Sequence, residues 1–173
     1  MWRLLSPARR LRKPEDISAA FLQTHGIKGV LLDIDNTLLA WSERTLSEET
    51  RRWALALLDS GIAIVLISNN RPRKVAHVAG QLGVPWVADA RKPFPVGIRK
   101  GMRLLGLPAE ETALIGDQLF TDVLGGNRLG LLTIWVKARS RREFLATQIV
   151  RQVERIVVRR LEKKKRMPEE GWL

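Results

Sequence analysis

The sequence predicts an α/β protein: an open parallel sheet with helices on both faces. Three observations predict it. Short, almost continuously apolar runs recur along the chain, as expected of parallel strands covered on both sides. Helix-like segments with start and stop signals separate them, giving a β-α-β-α rhythm. Polar and charged residues gather just after the runs, at the carboxyl ends of strands, where such sheets bind ligands.

The first core strand is Gly29–Leu32, and Asp33 and Asp35 follow it. Strand side chains alternate faces, so these two carboxylates aim at one spot. That is costly unless something positive is bound there. Ser47–Ser60 reads as a helix: Ser47 can cap it, Thr50 falls three residues on, Glu48 and Glu49 occupy the first turn, and Gly61 ends it. The strand Ile62–Ile67 follows, then a helix Arg71–Leu82 stopped by Gly83. Trp86–Val87 reads as a short strand and Pro95–Leu105 as a helix closed by Gly106. Ala113–Ile115 and Thr133–Val136 complete the strands, and "TDVLGGNRLG" between them reads as a short helix broken by glycines. Residues 141–166 form an amphipathic basic helix with Leu145, Ile149, Val153, Ile156, Val157 and Leu161 on one stripe. That stripe is expected to dock on the protein's own core. Arg151, Arg155, Arg159 and the Lys163–Arg166 run lie elsewhere on its surface or beyond its end.

Hydrophobic residues make up 45% of the 173, enough for one domain with a proper core. The absence of cysteine excludes a disulfide scaffold, a thiolate metal site and a cysteine nucleophile. No apolar run approaches the ~18 to 20 residues of a membrane helix. The N-terminus "MWRLLSPARRLRK" is basic but lacks the apolar stretch of a signal peptide. A cytoplasmic protein is therefore expected. Residues 1–13 carry five basic and no acidic side chains, residues 137–166 twelve basic and three acidic, and residues 14–136 thirteen of each. The net charge of +12 thus sits at the two ends. It is either a solvated surface or a footprint for an anionic partner, membrane or nucleic acid. The expected division is a basic N-terminal segment (1–26), a core (27–139) and a basic C-terminal helix and tail (140–173).

Four segments follow the strands in order: "DIDNT" from Asp33 to Thr37, "LISNN" ending in Ser68, Asn69 and Asn70, "ARKPFP" with Lys92, and "IGDQLFTD" with Asp117 and Asp122. Singly they read as a strand end, a helix cap, a loop and a turn. Together they resemble the signature of the haloacid dehalogenase (HAD) superfamily of phosphotransferases: DxDx[TV], then Ser or Thr, then Lys, then an acidic motif. The resemblance covers residues 27–137, roughly. "LLDIDNTLLAW", "SNN", "KP" and "GDQLFTDVLGGNR" are more narrowly similar to the YqeG-type branch, class IIIA, whose members include phosphatidylglycerophosphatases. The resemblance implies a Rossmann-like HAD fold and a Mg²⁺-dependent phosphomonoester hydrolase.

The residues suit that chemistry. A phosphate monoester hydrolyses very slowly, and its reacting group is anionic. It needs a nucleophile, an acid for the leaving oxygen and positive charge around the phosphoryl oxygens. By position Asp33 is the nucleophile, forming an aspartyl-phosphate. Asp35 is the acid that protonates the leaving group and then deprotonates the attacking water. The resemblance implies that Ser68 and Lys92 hydrogen-bond and neutralise the phosphoryl oxygens, with Asn69 adding a donor and Thr37 helping to hold the loop as the fourth phosphate-site residue. Carboxylates facing a phosphate repel it, so a hard cation is required, and oxygen donors fit Mg²⁺. The resemblance assigns its ligands as the Asp33 carboxylate, the Asp35 backbone carbonyl and Asp117, with Asp122 behind them orienting Lys92 or metal-bound water.

Thirty residues separate Thr37 from Ser68, and twenty-three separate Ser68 from Lys92. One helix and one strand use up each interval, so no large cap domain is expected. An open site favours a large or surface-presented substrate. The basic ends suit peripheral contact with the inner face of a membrane, where each Lys or Arg contributes about 1 kcal/mol. With the resemblance, this favours phosphatidylglycerophosphate as substrate and an anionic phospholipid headgroup as partner. Nucleic acid is disfavoured by the 6% aromatic content and the lack of tyrosine for stacking. The alternatives are a phosphatase of a phosphoprotein, polynucleotide end or sugar phosphate, and a non-catalytic protein bound to RNA or the ribosome.

Overall fold

The computed structural model describes residues 2–140, 145–164 and 167–168. Among them six strands pair in parallel into one sheet: β1 Arg9–Leu11, β2 Gly29–Leu32, β3 Ala63–Ile67, β4 Trp86–Val87, β5 Thr112–Gly116 and β6 Leu132–Val136. Their order is β1-β6-β5-β2-β3-β4. The helices are α1 Ala19–Thr24, α2 Glu48–Asp59, α3 Pro72–Gly80, α4 Pro95–Leu105, α5 Leu124–Arg128 and α6 Leu145–Lys163.

Alternation along β2 divides the interior. Val30 and Leu32 join a core with α1, α2 and α3 through Leu22, Leu57 and Val78. Leu31 points the other way, into a core with Ile98 and Met102 of α4. Helices therefore cover both faces, as the continuous apolar strands require. Ser47 caps α2 as expected, its Oγ accepting from the Thr50 N–H at 3.1 Å. One helix and one strand fill each interval between motifs, and no cap domain is inserted.

Three features depart from the sequence reading. First, Arg9–Leu11 is a strand, in register with Ile134–Val136 of β6. It has no apolar run to announce it, and an edge strand tolerates charge. Residues 1–26 thus contribute the sheet's edge and, through Phe21 and Leu22, part of its core. Second, Gly125 and Gly126 do not break the helix after Asp122. A π-helix, Leu119–Val123, runs directly into α5, which contains both glycines. They are there for close packing: a Cβ on Gly126 would lie 2.5 Å from Thr133 Cγ2, and one on Gly125 would lie 2.7 Å from Ile98 Cδ1. Third, the docked face of α6 is rotated from the expected stripe: Leu161 and Val157 of that stripe pack inward, but Val158 and Glu154 join them in place of Val153 and Ile156. Glu154, Val158 and Leu161 are buried, while Val153 and Ile156 are exposed. Glu154 turns inward because its Oε1 accepts the Phe120 N–H at 3.0 Å, at the start of the π-helix. The side chains of Leu145 and Ile149 lie outside the described residues. Among the described residues no helix is long and apolar enough to cross a membrane.

Candidate active site

From β2 the strand order runs to β3 and β4 on one side and to β5 and β6 on the other. This is a topological switch point, where open parallel sheets leave a crevice. Asp33 follows β2 and is still held in the ladder, its N–H donating to the Ile115 carbonyl at 2.9 Å. Ser68 follows β3, Lys92 lies in the loop after β4, and Asp117 follows β5. Asp33, Asp35, Ser68, Asn69 and Lys92 line one open cleft of about 550 Å³, with Trp41, Arg71 and Gln118 also on its walls.

Lys92 is the knot of the site. Its Nζ donates to Asp33 Oδ1 and to Asp122 Oδ1, each at 2.6 Å, and to the Ile67 carbonyl at 3.3 Å. All three side chains are buried. Burial pushes the Asp33 carboxyl up; Lys92 pulls it back, and Asp122 and Asp35 add repulsion, leaving it raised to about 7. Burial alone would push the Lys92 ammonium down. The charges of Asp122 and Asp33 outweigh that and raise it above its ordinary value. Asn69 grips the Lys92 backbone on both sides.

Asp35 is held by the loop after β3 and the first turn of α3. Ser68 Oγ donates to its Oδ2 at 3.1 Å and Asn70 Nδ2 to the same oxygen at 3.2 Å. Lys74 forms an ion pair with Oδ1, and its ammonium lies 5.2 Å from the centre of the Trp41 ring. On the other side of the crevice, Thr37 Oγ1 donates to Asp117 Oδ1 at 3.3 Å. The Gln118 N–H donates to Asp122 Oδ2 at 3.1 Å. Carboxylate oxygens of Asp33, Asp117 and Asp122 all lie within 4.8 Å of one another. This all-oxygen donor set fits a hard divalent cation.

The structure thus brings Asp33, Asp35, Thr37, Ser68, Asn69, Lys92, Asp117 and Asp122 together at one end of the sheet. Three side chains make contacts the motifs did not show, the first being Ser68, whose hydroxyl donates to Asp35. Thr37 touches Asp117, and the Asn69 amide is engaged with Lys92 rather than directed only at a phosphate. Lys74 and Arg139 escaped the sequence reading. Arg139 Nε donates to the Thr37 carbonyl at 2.6 Å, and the Arg139 backbone N–H donates to the Asn36 carbonyl at 2.9 Å. A signal for Lys74 was present. Arg73 and Lys74 occupy the first turn of α3, where cations oppose the helix dipole and need another reason to be there.

Comparison with known proteins agrees with this geometry. The Hydrolase_like family model, described as HAD-hydrolase-like, matches residues 89–161. The "Probable phosphatase YqeG" of Bacillus subtilis is 36% identical over 143 residues, covering 83% of each chain. The phosphatidylglycerophosphate phosphatase 1 of Arabidopsis thaliana, chloroplastic/mitochondrial, is 31% identical over 148 residues, 78% of this chain and 41% of that longer protein. The crystal structure of a HAD phosphatase from Thermococcus onnurineus shares the fold, with a TM-score of 0.51, 17% identity, and coverage of 76% of this chain and 98% of the other. A relative this similar over most of both chains, joined to the four motifs converging at the switch point, establishes that the chain belongs to the YqeG branch of the HAD-type phosphatases.

Proposed function

We propose that this phosphatase removes the terminal phosphate of phosphatidylglycerophosphate, leaving phosphatidylglycerol. The observation that carries the chemistry is Lys92, fixed between Asp33 and Asp122 at the floor of an uncapped cleft. The substrate reading is supported by similarity to the Arabidopsis enzyme of that name and by the open cleft, which admits a headgroup presented on a surface.

In this reading the Asp33 carboxylate attacks phosphorus, forming an aspartyl-phosphate as the bond to the glycerol oxygen breaks. Asp35, facing the same cleft, gives that oxygen a proton, which it can carry once Lys74 leaves its Oδ1. It then takes a proton from the water that attacks the phosphoenzyme, so Asp33 is regenerated and inorganic phosphate leaves. Ser68 and Asn70 hold Asp35 in place. Lys92 balances charge on the phosphoryl oxygens as it does on Asp33. Mg²⁺ would be held by Asp33, the Asp35 carbonyl and Asp117, and when bound it offsets the repulsion between carboxylates and phosphate. Asp122 serves better as a positioning residue than as a ligand, because its two oxygens accept from Lys92 and Gln118.

The test is phosphate release from phosphatidylglycerophosphate in detergent micelles with Mg²⁺, beside phosphoproteins, nucleotides and sugar phosphates. The lipid is expected to turn over with the highest kcat/KM, and Asp33→Asn to abolish turnover in a folded protein. A faster soluble substrate would overturn the lipid assignment while leaving the phosphatase.

A further inference from the structure

The rim of the cleft carries an apolar feature that catalysis does not use. Phe94 and Val96 are 63% and 74% exposed, the two most exposed large hydrophobic side chains among the described residues. Phe94 is the N-cap of α4 and Val96 lies in its first turn, so both follow Lys92 within four residues. Isolated exposed apolar side chains are ordinary, but two within three residues of each other beside an active site are informative.

They are presented rigidly. The Phe94 N–H donates to the Arg91 carbonyl at 2.9 Å, closing the turn. The same loop is tied to the one after β3, because Asp89 N–H donates to the Asn70 carbonyl and Ala90 N–H to the Ser68 carbonyl, each at 3.0 Å. Behind it, α4 packs so closely that a Cβ on Gly97 would lie 2.3 Å from the Ala90 carbonyl oxygen. The two loops therefore form one stiff lip at the carboxyl end of β3 and β4.

The lip is basic. Arg71 and Arg73 on the β3 side, and Arg91 and Arg99 on the β4 side, are all exposed, with Asp89 as the acidic member. Arg91 has φ of 54°, in the left-handed region that favours glycine. An exposed arginine thus occupies a backbone position where glycine would be unstrained, as Asp89 does two residues before it.

We propose that this lip is a membrane-docking surface: Phe94 and Val96 enter the headgroup layer of an anionic bilayer while Arg71, Arg73, Arg91 and Arg99 meet lipid phosphates. The proposal deepens the lipid-phosphatase reading and rests on it for its purpose. Two neighbouring apolar side chains flanked by arginines match an interface that is apolar below and anionic above. Nucleic acid would use the arginines but gains nothing from an exposed valine. Docking by the lip lays the cleft mouth against the bilayer, where a headgroup can enter without leaving the lipid surface. The rival surface is α6, with exposed Val150, Val153 and Ile156 beside Arg155 and Arg159.

The experiment is co-sedimentation of the full chain with vesicles of phosphatidylcholine, or of equal parts phosphatidylcholine and phosphatidylglycerol. Binding is expected only to the mixed vesicles. The double variant F94S/V96S and the single variant R91G are each expected to weaken it roughly tenfold. Serine is a favourable N-cap and glycine suits the Arg91 backbone, so both proteins should stay folded, with unchanged rates on a soluble aryl phosphate. R155E/R159E is expected to keep binding. Loss in R155E/R159E with retention in F94S/V96S overturns the proposal, as does tighter capture of a single-stranded oligonucleotide than of vesicles by the same lip. Turnover of micellar phosphatidylglycerophosphate without vesicle binding overturns docking alone. Lip-dependent vesicle binding without that turnover supports docking and overturns the substrate reading instead.

Discussion

Asn69 holds Lys92 by its backbone on both sides: Asn69 Oδ1 accepts the Lys92 N–H at 2.7 Å, and Asn69 Nδ2 donates to the Lys92 carbonyl at 3.0 Å. The pair joins the loops after β3 and β4. It fixes the point from which the Lys92 side chain reaches Asp33 and Asp122. Asn69→Ala is expected to cost about 1–3 kcal/mol of stability through two lost hydrogen bonds. By letting Lys92 drift it should lower kcat about a hundredfold, with a smaller change in KM. Steady-state kinetics and denaturant unfolding check this; a variant with wild-type kcat would show that the clamp does not position Lys92.

The raised Asp33 carboxyl makes stability depend on pH in a definite direction. Its folded value of about 7 lies above the ordinary 3.8, so the folded state keeps a proton that the unfolded chain releases. The associated stabilisation is full below about 3.8 and is lost as pH rises through about 7. Without added metal, wild-type protein should therefore lose stability relative to Asp33→Asn between pH 5 and pH 8, roughly. Mg²⁺ favours the ionised carboxylate, so its addition should restore wild-type stability most at the alkaline end. Thermal unfolding across this range, with and without Mg²⁺, measures both effects. A flat difference between the two proteins would contradict the assignment.

Arg139 clamps the catalytic loop from outside. Its side chain donates to the Thr37 carbonyl and pairs with Glu15, whose Oε1 also accepts from Thr50 Oγ1 at 2.5 Å, while its backbone N–H donates to the Asn36 carbonyl. Arg139→Ala leaves a buried carboxylate at Glu15 and is expected to cost about 3 kcal/mol. Adding Glu15→Gln should recover part of that loss, because the unpaired charge is gone. Activity should fall about tenfold in both variants as the Asp35–Thr37 loop loosens. Denaturant midpoints and kcat, compared in a double-mutant cycle, separate the two effects.

Gly116 is required by a close approach. A Cβ there would lie 2.3 Å from Asp122 Cγ and 2.4 Å from its Oδ2. Gly116→Ala is expected to displace Asp122 from Lys92 and from the Gln118 N–H, costing about 1–3 kcal/mol. The accompanying loss of kcat should be about a hundredfold. Kinetics on an aryl phosphate, with circular dichroism to confirm folding, test this; full activity would mean that Asp122 needs no fixed position.

The sequence by itself determined the fold class, five of the six strands and the four motif segments. The reason is local. A strand buried on both faces must be apolar along its length, and Val30–Leu32 and Ile64–Ile67 are. The charge that cannot be buried in such a strand begins where the strand ends, at Asp33 and at Asp117. Other features depend on neighbours distant in the chain. The strand Arg9–Leu11 exists because β6 offers it an edge, not because its residues favour one. The buried face of α6 is set by where Leu5, Leu119 and Val123 receive Val157, Val158 and Leu161, with Glu154 meeting the Phe120 N–H, so it is rotated from the stripe that periodicity marks. The partners of Lys92, Asn69 and Asp35 come from loops brought side by side by the strand order. Periodicity records which face of an element is apolar; only packing decides which polar atoms find one another.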